Sequence, residues 1–229
     1  MLKTILHLFA FAVFFSISNA ADAREKQMRI LVMGDSLLAS HSISGRAISN
    51  YIGRNLQQKV TDRSVMGARI IYGLPISGAL GMNIGKQFRG GKWDWIVING
   101  GGNDLWFGCG CHKCDRKIRR LISVDGKSGK VPSLVAKLRR SGAKIIYLGY
   151  LRSPGVNSPI ESCKDEGDEF ESRVRKMAAI NEGVYFLSLA KLVPYGDRSY
   201  HTIDMVHPSL KASKTIGKLV ATLISSNAQ

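Results

Sequence analysis

"RILVMGDSLLAS" (residues 29–40) decides the fold. An apolar run from Ile30 to Met33 stops abruptly at Gly34-Asp35-Ser36-Leu37. Four consecutive apolar residues without alternation suit a strand buried on both faces, as in a parallel sheet covered by helices. A glycine, a carboxylate and a hydroxyl at the end of such a strand make either a plain turn or a serine held up at the carboxyl end of a sheet.

Working outward, the same alternation repeats. "SGRAISNYIGRNLQQKV" (44–60) spaces Ile48, Ile52 and Leu56 at helical intervals. "ARIIYGLPI" (68–76) is predicted as a second strand, "GMNIGKQF" (81–88) as a short helix and "WDWIVING" (93–100) as a third strand. A helix follows, with Pro132 near its start and Gly142 past its end. "AKIIYLGY" (143–150) is the fourth strand, residues 167–183 a helix closed by Gly183, and "VYFLSLA" (184–190) the fifth strand. A last helix carries Ile216, Leu219, Val220, Leu223 and Ile224 on one stripe. Strands alternating with helices predict a mostly parallel sheet of five strands with helices on both faces. In such sheets ligands sit outside the carboxyl ends of the strands. Both Gly34-Asp35-Ser36 and the Gly-rich "NGGGND" (99–104) fall there.

The chain has 229 residues, 45% hydrophobic and 22% charged, which excludes fibrous and disordered classes and suits one globular domain. Residues 1–20 are set apart. Lys3 precedes the apolar run Ile5–Ile17, and Ser18 and Ala20 form a small-residue cleavage site, so 1–20 is expected to be a signal peptide and 21–229 the exported domain. That run is short for a spanning helix, which needs about 20 residues, and no later segment is apolar enough to span a membrane. The expected location is secreted or periplasmic. The formal net charge of +16 falls to +15 when Lys3 leaves with the signal, a surface that favours anionic surroundings. No nucleic-acid signature accompanies the charge, so nucleic acid is not expected as a partner.

Export gives the four cysteines a meaning. Cys109, Cys111 and Cys114 cluster in "CGCHKC" and Cys163 stands alone. An oxidising compartment predicts two disulfides, and the pairing with a tight Cys109–Cys111 ring is disfavoured. The competing expectation is a zinc site of three thiols with His112 or Cys163.

A serine nucleophile needs a base, a carboxylate to orient that base, and donors for the developing oxyanion. His207, in "YHTIDMVHPSL", is followed by Pro208, which forces an extended geometry at a helix entrance, and Asp204 stands three residues before it. His201 is the alternative base, with no comparable backbone restraint. Gly78, placed after the supposed second strand, and Asn103, behind three glycines, are candidate donors. Trp106 and Phe107 follow at once, as pocket lining or as core.

These blocks resemble the GDSL-type esterases and lipases, also called SGNH hydrolases. Ser36 stands in "GDSL", Gly78 in "ISGA", Asn103 in "GGND", and His207 with Asp204 in "DMVHP", in register over residues 28–225. The resemblance implies a three-layer α/β/α sandwich with flavodoxin-like strand order and a Ser-His-Asp mechanism without metal or other cofactor. It makes Ser36 the nucleophile, His207 the base and then the acid, Asp204 its orienter, and the Ser36 N–H, the Gly78 N–H and the Asn103 side chain the oxyanion hole. The expected substrate is an acyl-lipid or O-acetylated-glycan ester. Transfer to a glycan acceptor, or an idle binding module for acidic polymers, are the alternatives. "LWFGCGCHKC" after Asp104 departs from the family pattern and reshapes the pocket.

Overall fold

The computed structural model describes residues 27–155 and 158–228, so the segment expected to be a signal peptide lies outside the described residues. The five strands are β1 (Ile30–Met33), β2 (Val60–Asp62), β3 (Trp95–Ile98), β4 (Lys144–Leu148) and β5 (Val184–Leu187). All neighbouring pairs run parallel, in the order β2-β1-β3-β4-β5. The order reverses beside β1, and the crevice at such a switch point is where this architecture places ligands.

Period-two alternation divides the strands between two cores. Leu31, Met33, Ile96, Ile98, Ile145 and Tyr147 face one side. There they pack against α5 (Gly102–Cys109), α6 (Asp115–Leu121), α7 (Lys130–Arg139) and α8 (Lys164–Ala179). Ile30, Val32, Trp95, Val97, Ile146 and Leu148 face the other side, under α1 (Ser36–Ala39), α2 (Ile48–Leu56) and α9 (Leu210–Ser226). Two one-turn helices, α3 (Pro75–Ser77) and α4 (Ile84–Gln87), lie in the β2–β3 connection. Gly217 of α9 lets the second core close tightly, because a Cβ there would lie 2.4 Å from the Tyr51 Cβ of α2.

The second strand differs from expectation. Residues 68–76 contribute only an isolated bridge, Arg69 to Asn83, and the N–H groups of Ile70 and Ile71 bond the Asp104 carboxylate at 2.9 and 2.8 Å. The true β2 is three half-buried residues at the sheet edge. It hid in the tail of the preceding helix pattern, which ends at Leu56 with Gln57 in the left-handed conformation (φ 53°).

Candidate active site

Gly34 carries β1 out of the sheet, and no other residue fits there: a Cβ would lie 1.9 Å from Asn99 Oδ1. Asp35 then caps the N-terminus of α1, accepting from the Leu37 N–H at 3.0 Å. Its backbone N–H donates to Asn99 Oδ1 (3.0 Å), and Asn99 Nδ2 donates back to Asp35 Oδ1 (2.8 Å). The Tyr150 hydroxyl donates to the other carboxylate oxygen while accepting from the Gly102 N–H at 3.1 Å. Asp35 therefore joins the carboxyl ends of β1, β3 and β4. Burial pushes its carboxyl up, against the lowering effect of the bonds from Tyr150, Asn99 and Leu37. Gln87 completes the frame, accepting from the Gly34 N–H and donating to the Gly34 and Gly81 carbonyls.

On that frame Ser36 opens α1, half-buried, with its Oγ and its N–H unbonded among the described residues. His207 comes from the loop that enters α9. Its Nδ1 lies 2.6 Å from Asp204 Oδ2. Asp204 Oδ1 accepts from the N–H groups of Val206 (2.9 Å) and His207 (3.0 Å) and from Thr202 Oγ1 (2.6 Å). The turn needs Met205 at φ 56°, held by the Ser158 hydroxyl on its carbonyl at 2.8 Å. Burial pushes the Asp204 carboxyl up, but the bonds from His207, Thr202 and the loop N–H groups outweigh it and hold the group well below the usual carboxylate range. With the acceptor fixed on Nδ1, His207 Nε2 is left free for chemistry. His201 is buried with neither ring nitrogen bonded among the described residues, so of the two imidazoles the carboxylate bonds only that of His207.

Ser36, Asn103, Trp106, Tyr150 and His207 line one cavity of about 680 Å³. Asn103 Nδ2 donates to the Ala68 carbonyl at 3.1 Å and keeps a second N–H. Next to Asn103, Asp104 clamps residues 70–71, and burial raises its carboxyl to about 6 against the bonds from Ile71 and Ile70. Two expected residues are placed elsewhere. The Gly78 N–H donates to the Leu74 carbonyl at 3.0 Å, and Gly78 lies outside the cavity lining. This follows from the misplaced strand, because the glycine that leaves the true β2 is Gly67. Gly67 has φ 74° and an N–H unbonded among the described residues. Its neighbours on either side are fixed to the site: Val65 N–H bonds the Gly34 carbonyl (3.0 Å) and Ala68 accepts from Asn103. Phe107, stacked on Trp106 at 5.1 Å, is exposed and outside the lining, neither pocket nor core.

The cysteines pair as Cys109–Cys114 and Cys111–Cys163, which leaves no thiol for a metal. The second bond ties the end of the Asn103 helix to Cys163 on the cavity wall. Further along that wall Arg152 is held by Glu171 and Asp168, both at 2.8 Å.

The sequence profile of the GDSL-like lipase/acylhydrolase family matches residues 32–214, most of the chain and every residue of the candidate site. The protein belongs to that family. It is accordingly an ester-hydrolysing enzyme. No curated protein matches it in sequence. The fold of this GDSL hydrolase is shared by solved structures. A chain from Slackia heliotrinireducens assigned to the SGNH hydrolases is 18% identical, with a TM-score of 0.59 over 86% of this chain and 98% of that one. A family two carbohydrate esterase from Clostridium thermocellum, solved with cellohexaose, is 17% identical, with a TM-score of 0.55 over 89% of this chain and 66% of that one. An acetyl xylan esterase from the rumen bacterium Butyrivibrio proteoclasticus is 14% identical, with a TM-score of 0.59 over 88% of this chain and 64% of that one. At these identities the likeness concerns the fold.

Proposed function

We propose that this GDSL hydrolase is an exported serine esterase that cleaves acyl-lipid or O-acetylated-glycan esters through an acyl-enzyme on Ser36. The observation that carries the reading is the 2.6 Å Asp204–His207 bond at a cavity that Ser36 also lines. His207 Nε2 takes the Ser36 proton as Oγ attacks the ester carbon, and Asp204 stabilises the imidazolium that forms. The oxyanion meets three unused donors: the Ser36 N–H at the start of α1, the second N–H of Asn103 Nδ2 and the Gly67 N–H, in place of Gly78. His207 then protonates the leaving alcohol. Water, deprotonated by the same imidazole, releases the acid and regenerates Ser36. Export is supported by the two disulfides, which persist in oxidising compartments. The test is Ser36→Ala. Hydrolysis of a short-chain nitrophenyl ester should fall to background with the unfolding midpoint unchanged, and retained turnover refutes the assignment.

A further inference from the structure

The loops that leave the carboxyl ends of the strands carry aliphatic side chains that cover nothing. Ile43 follows β1, Leu74, Ile76 and Leu80 follow β2, and Ile203 follows β5. Ile43 and Ile203 are wholly exposed, and the other three are 65%, 79% and 73% exposed. Monomeric proteins seldom leave so many large aliphatics bare in one region without a use for them. Hydrogen bonds also join these loops to one another beyond the carboxyl ends of the strands. His41 Nε2 meets the Pro208 carbonyl at 2.8 Å, which joins the Ile43 loop to the Ile203 loop. Gln87 holds both the Gly34 and Gly81 carbonyls, which fixes the Leu80 segment to the end of β1.

Charge on these loops is mostly of one sign. Arg46, Lys191 and Arg198 are exposed and make no ion pair among the described residues. Of the loop carboxylates, Asp35 and Asp104 are buried, Asp197 is paired with Lys211 and Asp204 with His207, which leaves Glu161. Aliphatic tips among free cations match the surface of a bilayer containing anionic lipid: acyl chains receive the tips and headgroups receive the cations. A second copy would bring cation against cation.

We infer that this face docks on anionic bilayers and turns the Ser36 cavity toward esters presented in the membrane. The docking surface stands without the esterase reading; the substrate consequence rests on it.

The experiment compares wild type with the triple variant Ile43→Ser, Ile76→Ser, Leu80→Ser, both as full chains recovered after export, so that any effect of the N-terminal segment cancels. Each is sedimented with vesicles of phosphatidylglycerol and phosphatidylcholine, with pure phosphatidylcholine vesicles, and with soluble polygalacturonate. Wild type should bind the anionic vesicles, more weakly as salt rises, and the triple variant should lose at least about tenfold in affinity. Hydrolysis of a soluble nitrophenyl ester should be equal in both, while hydrolysis of a vesicle-embedded ester falls with binding. Absence of vesicle binding, equal binding by the triple variant, equal affinity for polygalacturonate, or a wild-type dimer that the substitutions dissociate would each overturn the inference. Loss of soluble-ester turnover in wild type would instead strike the proposed esterase and leave the docking result readable.

Discussion

Asp35 and Asp204 are carboxylates of the same site put to opposite uses. Asp35 is buried, takes bonds from the ends of β3 and β4 and from α1, and is pushed up by its burial. Asp204 is half in solvent, in a loop that turns four donors onto it, and is held well down. Environments that drive two carboxylates apart assign them different work. Asp35 fixes where Ser36 stands, and Asp204 keeps a full negative charge beside the imidazole. The site is thus a rigid shelf on one side and a charged loop on the other, meeting across the cavity.

The sharpest way to break this contrast is to neutralise each carboxylate in turn. Asp204→Asn should lower kcat by about 10²–10⁴, because the charge and the tautomer it selects are lost, with only a modest stability loss beside it for a group half in solvent. Asp35→Asn should do the reverse in kind. Its amide faces the Tyr150 hydroxyl that now donates to the carboxylate, so stability should drop by about 1–3 kcal/mol, with a smaller kcat loss. Urea titrations and kinetics of both variants separate the two roles.

Next in size is the wall opposite the shelf. Cys111–Cys163 closes 52 residues of chain, and Cys111→Ser with Cys163→Ser should cost up to about 4 kcal/mol on a chain-entropy account. The kcat of a small ester should change little, since neither Ser36 nor His207 is tethered by it.

Asp104 sharpens the comparison through pH. Its folded value of about 6 exceeds the ordinary 3.8, so the folded state holds the proton longer. Its contribution to stability is fully present below pH 3.8 and is lost as pH rises through 6. Asp204 runs the other way, contributing above the ordinary value and losing it only in strong acid. Between pH 4 and 7 wild type should lose about 2 kcal/mol relative to Asp104→Asn, read as diverging urea midpoints.

The smallest expected effect is also diagnostic. Gly78→Ala, at φ −61° with its nearest neighbour at 3.4 Å, should be near neutral in activity. Gly67→Ala must strain a backbone at φ 74° and should lower kcat by about tenfold or more. Equal activities in the two variants would remove Gly67 from the oxyanion hole.

Much of this was legible in the sequence, for stated reasons. β1, β3 and β4 read as apolar runs because they are buried on both faces. β5 and β2 are both half-buried edge strands; β5 still shows as Val-Tyr-Phe-Leu, whereas the Val-Thr-Asp of β2 leaves no apolar run and residues 68–76 imitate one. Gly78 follows that misplaced strand and stands in the "ISGA" block, and its N–H is bonded to the Leu74 carbonyl. Asp204 and His207 lie within one turn of chain, where spacing and Pro208 speak directly. Asn99, Tyr150 and Gln87 do not: each reaches the Gly34–Asp35 turn from 53 to 115 residues away, and contacts of that kind are made by the sheet order alone. Phe107 is apolar in sequence and exposed in space, which no local pattern distinguishes from core.

The most direct measurement is covalent. A fluorophosphonate phosphonylates an activated serine with loss of fluoride, leaving a tetrahedral adduct shaped like the ester transition state, and peptide mapping by mass spectrometry locates it. One adduct per chain, on Ser36, absent in His207→Ala and slowed in Asp204→Asn, is the predicted result. A folded wild-type enzyme that stays unlabelled at Ser36, or labels elsewhere, would contradict the account.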